Sequence, residues 1–347
     1  MSYRYYKGYL LICCISIFHC YSCTKSAITD GSGDGMPSGL IAFTAYEDSL
    51  LSDLDVYIVD AFEPNPVPFN VSNIPSNDYY ASWLYDESAV VFISSTYGGA
   101  SLSMVAPFGL DLIHLYSTGG QIEKISCSPT ERKVAFIEAD YSQAKYKINI
   151  IDTDNLDTLY LVSIHLAGEP LIAWSVDGRK LAIGAGIIHV YDALSGGLLY
   201  SISTSADYIA WNEDGNGLYV INSGDLSYAD SINNYDILTG KNLSFGTISP
   251  DRKYLAAISL SEDNSLIVIN LPYGDYTLIK TIHIPVVVYR DYRVISWSAD
   301  GQELSYIDLD DGQWNIFTIS RDGFLDDQVT DDYTLKKSIC RSPVFIQ

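Results

Sequence analysis

Six segments of this chain repeat one pattern: an apolar strand ending in an aromatic or small residue, a turn of the Ser/Asn-x-Asp-Gly type, and a second apolar strand. They are ASWLYDESAVVFIS (81–94), ISCSPTERKVAFIE (125–138), LIAWSVDGRKLAIG (171–184), YIAWNEDGNGLYVI (208–221), GTISPDRKYLAAIS (246–259) and VISWSADGQELSYI (294–307). Their first turn residues stand at 84, 128, 175, 212, 249 and 298, so the steps are 44, 47, 37, 37 and 49. A period near 40 with several short strands per unit predicts an all-β repeat fold, a β-propeller of four-stranded antiparallel blades. Asp-Gly supplies a tight turn that needs positive φ. The flanking runs are short and partly alternating, as packed strands are. One blade cannot bury both of its faces alone, whereas stacking blades in a ring buries them against neighbours. Trp83, Trp174, Trp211 and Trp297 recur at one position of the repeat, which suits a wedge between adjacent blades.

The ends of the chain complete the count. Gly39–Tyr46 (GLIAFTAY) is a second strand without a first, and Asp55–Asp60 and Pro66–Val71 continue its blade. Lys337–Gln347 (KSICRSPVFIQ) is a first strand without followers, its Ser342-Pro343 standing 44 positions after 298. The C-terminal strand is therefore expected to complete the N-terminal blade. That closes a ring of seven and removes exposed sheet edges. Blade five leaves little room for a fourth strand between Lys241 and Phe245.

The segments WSVDGRKLAI, TISPDRKYLAAI and NIFTISRDGFLDDQVT resemble the repeat of TolB-type propellers, within the broad WD-like group, over nearly all of 39–347. The resemblance is specific for fold and implies protein contacts at the cell envelope. Fold by itself does not give function.

Residues 1–23 read differently. Arg4 and Lys7 precede an apolar run of ten, Tyr9–Phe18. That is too short to span a bilayer and the length of a signal-peptide core. Ser22-Cys23, just after it, resembles the cleavage site of bacterial lipoproteins, in which the Cys becomes the lipidated first residue. Cys20 and Tyr21 depart from that family's preferred residues. The organisation expected is a lipoprotein-type signal peptide over 1–23, a Gly-rich flexible tether over 24–38, and the propeller over 39–347. Only Cys127 and Cys340 remain in the body, too few for a disulfide framework; both are expected as buried thiols.

The chain carries 20 Lys+Arg against 43 Asp+Glu, a net charge of −23. This argues against a nucleic-acid partner, which needs clustered cations, and against electrostatic attachment to anionic lipid. Membrane contact is expected only through the N-terminal anchor, in a monomer placed across the inner membrane, at the outer membrane.

Loops between blades, and loops joining second to third strands, emerge on one face of such a fold. Here they are rich in Tyr and Asp. The inter-blade set includes 77–80 with Tyr79 and Tyr80, 205–208, 289–292 with Tyr289 and Asp291, and 331–333 with Tyr333. The second set includes 94–100 with Tyr97, 138–141 with Tyr141, 222–232 with Tyr228, and 308–314. Tyr offers a large apolar body and a hydroxyl at low entropic cost, so the expectation is a face that binds an envelope protein, or alternatively a glycan. Asp308, Asp310 and Asp311 lack the full alternation of a calcium loop and read as a solvated turn. His114, His165, His189 and His283 lie in different blades without close ligand spacing. No cofactor or metal is expected and no catalytic motif is present. The rival enzyme reading, a metal-dependent lyase or hydrolase centred on the channel, requires His and carboxylates to converge on the ring axis.

Overall fold

The computed structural model describes residues 39–46, 54–96, 98–109, 112–165, 170–184, 186–283 and 293–331, and the backbone of 335–341. The strands fall in chain order into blades. The N-terminal blade holds β1 (Leu40–Tyr46), β2 (Leu54–Asp60) and β3 (Phe69–Asn70). The second holds β4 (Asn77–Trp83), β5 (Val90–Thr96), β6 (Gly99–Val105) and β7 (Ile113–Thr118). The third holds β8 (Gln121–Cys127), β9 (Lys133–Asp140), β10 (Lys145–Asp152) and β11 (Thr158–Ile164). The fourth holds β12 (Leu171–Trp174), β13 (Lys180–Gly184), β14 (Ile188–Asp192) and β15 (Leu198–Ile202). The fifth holds β16 (Tyr208–Trp211), β17 (Leu218–Asn222), β18 (Asp225–Ala229) and β19 (Asn234–Leu238). The sixth holds β20 (Leu243–Ile248), β21 (Tyr254–Ser259), β22 (Ser265–Asn270) and β23 (Tyr276–Thr281). The seventh holds β24 (Ile295–Trp297), β25 (Glu303–Asp310), β26 (Gln313–Ser320) and β27 (Asp326–Gln328), and β28 (Leu335–Arg341) follows.

Among the described residues these strands make seven four-stranded antiparallel sheets. The strand β28 pairs with β1, Ile41 opposite Arg341 and Tyr46 opposite Leu335, so the C-terminal strand is the innermost strand of the N-terminal blade. The first strands of successive blades touch in a closed circuit, β4, β8, β12, β16, β20, β24, β28 and back to β4. The chain is a seven-bladed β-propeller closed as the repeat predicts.

The core explains why the inner strands read as near-continuous apolar runs. It consists of clusters lying between neighbouring blades, and middle strands such as β9 and β13 feed two of them. Val134 and Phe136 of β9 pack toward the second blade, while Ala135 and Ile137 pack toward the fourth. Ile41, Phe43 and Val59 meet Ile307 and Ile316, which seals the last blade to the first. With both faces buried, the period-2 alternation of apolar and polar residues disappears.

The turn between first and second strands repeats its chemistry as well as its sequence. Ser175 Oγ donates to Asp177 Oδ1 at 2.6 Å, and Asp177 Oδ1 accepts the Arg179 N–H at 3.1 Å. Ser249 with Asp251 and Ser298 with Asp300 do the same at 2.6 Å. The residue after each Asp is left-handed: Gly178 at φ 68°, Arg252 at φ 60° and Gly301 at φ 65°.

Three expectations are corrected. Residues 222–232 are not a long loop. Ser223 (φ 53°) and Gly224 (φ 85°) form a two-residue turn, so Asp225–Ala229 is the third strand and Asn234–Leu238 the fourth. Blade five thus has a full outer strand before Lys241, and Leu243–Ile248 opens blade six. Residues 77–80 are not an inter-blade loop either; they are the first residues of β4. A β-bulge there, with the register shifting between Tyr79 and Ser82, breaks the alternation that would have marked a strand. Similarly, Asp308 and Asp310 lie in β25 rather than in a loop.

Candidate functional site

The antiparallel meander puts first-to-second and third-to-fourth strand turns on one face, and the other connections on the opposite face. On that opposite face the channel opens into a cavity of about 740 Å³. Its wall is built from the upper ends of first strands: Tyr80 of β4, Lys124 of β8, Leu171 of β12, Tyr208 of β16 and Phe245 of β20, with Arg293 just ahead of β24. Asp207 and Ser223 stand at the rim, where the Ser223 N–H donates to Asp207 Oδ2 at 2.7 Å.

Three of these inner strands bulge at the same level. In β4 the bulge carries Tyr80 and Ala81, in β8 Glu123, and in β20 Phe245 and Gly246. A bulge adds an unpaired residue and re-aims its side chain. Tyr80 and Phe245 consequently sit at φ 60° and φ 55°. Bulky residues rarely occupy this region, and holding one there costs on the order of 1–3 kcal/mol. Two strained aromatic residues from different blades therefore line one cavity.

Two cations, Lys124 and Arg293, and one carboxylate, Asp207, line the cavity of this strongly acidic chain. The Arg293 guanidinium lies 4.3 Å from the Tyr80 ring centre, and its Nη1 donates to the Ala81 carbonyl at 2.6 Å. Lys124 is buried in the wall. Beside it, buried Glu123 accepts a hydrogen bond from the Tyr141 hydroxyl. Aromatic faces with two cations suit a ligand carrying carboxylates on an apolar or sugar-like frame.

The residues expected to form the binding face separate in the structure. Tyr80 lines the cavity. Tyr141 is exposed on the β9–β10 turn and donates to Glu123 of the β8 bulge, and neither residue lines the cavity. Tyr79 is buried in the core between the second and third blades, with Leu102 and Phe136. Tyr228 stacks on Tyr235, ring centres 5.2 Å apart, and sits against Gly217 of the turn leading into β17, toward the opposite face. Burial and nearby Asp230 push its phenol up to about 12. Cys23, Tyr97, Tyr289, Asp291 and Tyr333 lie outside the described residues. Sequence reading did not single out Lys124, Phe245 or Arg293; Gly246 inside a strand was the available sign of a bulge.

A second polar cluster lies beneath the same face, between the first two blades. Asp55 accepts from Ser72 Oγ at 3.1 Å and from Asn70 Nδ2 at 2.9 Å. Asp78 accepts from Ser76 Oγ at 2.7 Å. Its other oxygen, Oδ2, is buried without a partner among the described residues. Burial pushes this carboxyl up to about 7, against the Ser76 hydrogen bond that favours the charged form, and the nearby Asp55 charge adds to the rise.

The four histidines among the described residues stay away from the axis. His114 is in β7 and bonded to Ser103, His189 is in β14 and bonded to Ser201, and His283 pairs with Asp308 at 2.9 Å. His165 follows β11 and contacts the Ala144 carbonyl. Among the described residues no three of His, Cys, Asp and Glu gather into a group that could hold a metal ion. No described helix is long and apolar enough to cross a membrane.

No protein-family model and no curated protein matches this chain. Solved structures do match. TolB from Acinetobacter baumannii superposes with a TM-score of 0.52 at 14 % identity, over 90 % of this chain and 89 % of that one. A candidate 6-phosphogluconolactonase from Bacteroides uniformis gives 0.60 at 16 % identity, over 88 % and 99 %. An oligogalacturonate lyase in complex with manganese gives 0.62 at 12 % identity, over 81 % and 86 %. At these identities the likeness is one of fold.

Proposed function

We propose that this chain is an envelope lipoprotein, anchored through Cys23, whose propeller binds a carboxylate-bearing extended segment of a partner protein at the channel mouth. The observation that carries the reading is the pair of bulged aromatic residues, Tyr80 and Phe245, lining one cavity with Arg293 and Lys124. Strained bulky residues survive where they serve a site. Arg and aromatic residues in a concave, largely desolvated setting are the composition of binding hot spots. The signal-like leader and the TolB-type repeat support the envelope address.

A photo-cross-linking residue in place of Phe245, in the chain exported by its own cell, tests this. The expected result is one or a few discrete protein adducts that disappear with Arg293→Glu. Absence of any adduct would overturn the protein-binding reading. The cations favour one second reading, an acidic oligosaccharide. Calorimetric binding of uronic-acid oligomers, lost with the same substitution, would establish it instead.

A further inference from the structure

Every blade joins its third strand to its fourth through a turn, and all seven turns carry a large apolar side chain facing solvent. Phe62, Phe108, Leu156 and Leu194 serve the first four blades, and Ile232, Tyr273 and Phe324 the last three, with exposure from 46 % at Leu156 to 89 % at Ile232. Single exposed apolar residues are ordinary on any protein. Here the exposure recurs at one position of the repeat, once per blade, so it follows the architecture rather than scattering singly over the surface. The first residues of the outer strands widen the belt, with Ile113, Tyr160 and Leu198 also exposed. On the opposite face only Tyr141, Ile187 and Leu260 are comparable among the described residues.

The turns are built to present these side chains. In four blades an Asp ends or follows the third strand and its carboxylate accepts the N–H two residues on, which belongs to the exposed apolar residue or its equivalent. The pairs are Asp60 with Phe62 at 2.9 Å, Asp192 with Leu194 at 3.2 Å, Asp230 with Ile232 at 2.7 Å, and Asp322 with Phe324 at 3.3 Å. The apolar tip is thereby fixed outward rather than folded back on the blade.

The path of the chain indicates what covers this rim. Strand β1 is the second strand of its blade, so it starts on the face that holds these turns. Gly39 stands directly before it. The Gly39 carbonyl accepts from Ala61 N–H at 2.9 Å, and a side chain at Gly39 would collide with Asp60 and Phe62. Gly39, the first described residue, therefore stands beside the first apolar turn. From Cys23 to Gly39 is a stretch that reaches at most about 55 Å fully extended and about 20 Å as a coil.

We propose that the seven-turn apolar rim seats on the interface of the bilayer that carries the Cys23 anchor, leaving the cavity face pointing away from the membrane. The inference rests on the anchored reading above. With a net charge of −23 and carboxylates in the turns themselves, the contact is apolar, suited to zwitterionic lipid and insensitive to salt. Its depth is that of interfacial side chains at the headgroup boundary.

The test uses the full chain as exported, reconstituted in phosphatidylcholine vesicles with brominated acyl chains. Leu194→Trp and Phe324→Trp report from the rim, and Ile187→Trp reports from the opposite face, each against the parent chain. The expected result is quenching of at least half of the added emission at 194 and 324, unchanged at high salt, with none at 187. No quenching at the rim, or equal quenching at 187, overturns the proposal. So does a rim reporter hidden from both bromolipid and aqueous acrylamide, because protein would then be the cover. Mass spectrometry of the mature N-terminus reads the anchor separately. If Cys23 is unacylated the anchored reading falls, and bromolipid quenching on that same protein then decides the rim alone, its presence supporting seating and its absence overturning it.

Discussion

Trp174 Nε1 donates to the Ser126 carbonyl of the preceding blade at 2.8 Å. Trp211 repeats the bond to Ala173 at 3.0 Å and Trp297 to Thr247 at 3.1 Å. The recurring Trp is thus both an apolar wedge and a polar stitch between inner strands. Trp174→Phe keeps much of the volume but takes the donor from a part-buried carbonyl, an expected loss of about 1 kcal/mol. Trp174→Ala also opens a cavity and is expected to cost about 3–5 kcal/mol. Urea unfolding of the two variants measures the difference. Equal losses would mean that ring packing contributes nothing beyond the hydrogen bond, and no loss in Trp174→Phe would mean that the hydrogen bond contributes nothing beyond the ring.

Much of the fold was legible because the propeller writes its turns locally. Ser-x-Asp-Gly closes on itself through Ser175 and Asp177 without help from distant residues, so its period is visible in one sequence. The closing strand was legible for the same reason, as Ser342-Pro343 falls in phase. The cavity was not. Tyr80, Lys124, Phe245 and Arg293 come from four blades, and only the ring brings them together. Bulges at the upper ends of β4 and β20 also erase the alternation that separates buried from accessible positions. Adjacent tyrosines 79 and 80 therefore look alike in sequence, yet one is core and the other cavity wall. Tyr228 was misplaced because Ser223-Gly224 is a weaker turn signal than Asp-Gly.

Arg252 occupies the left-handed turn position that Gly178 and Gly301 hold in other blades. Its Nε is buried without a hydrogen-bond partner among the described residues, and burial lowers its pKa. Arg252→Gly removes a strained backbone conformation worth roughly 1–2 kcal/mol and a poorly solvated cation. The expected outcome is a gain of about 1 kcal/mol, seen as a higher midpoint in urea. A loss of stability would show that the Arg stem packs better than its backbone is strained.

Asp78 makes stability depend on pH in the direction opposite to most carboxylates. Its carboxyl titrates near 3.8 in the open chain and near 7 in the fold. Between those values the native state keeps a proton that the unfolded chain releases. The stabilisation is complete below about pH 4 and is lost as pH rises through 7, by up to about 4 kcal/mol. Asp78→Asn keeps an acceptor for Ser76 and has no charge to bury. It is expected to be more stable than the parent at pH 8 and to flatten the profile between pH 5 and 8. Parallel unfolding curves for parent and variant across that range would contradict the assignment.

Tyr79 and Tyr80 offer the sharpest separation of packing from function. Tyr79 is core, and Tyr79→Ala is expected to cost about 3–5 kcal/mol of stability, as large aromatic truncations do. Tyr80 holds φ 60° at the bulge and is half-buried beneath Arg293. Tyr80→Gly relieves the left-handed strain, roughly 1–2 kcal/mol, while giving up partial burial of similar size, so the net change in stability is expected within about 1 kcal/mol. The same substitution removes the aromatic face and the cation–π contact of Arg293. It should weaken partner binding at least tenfold, the loss of a hot-spot residue. Thermal unfolding and the Phe245 cross-linking yield, measured on both variants, check the pair. Strain kept for binding predicts an intact fold with lost cross-linking for Tyr80→Gly. A large stability loss with undiminished cross-linking would instead make the bulge a packing device.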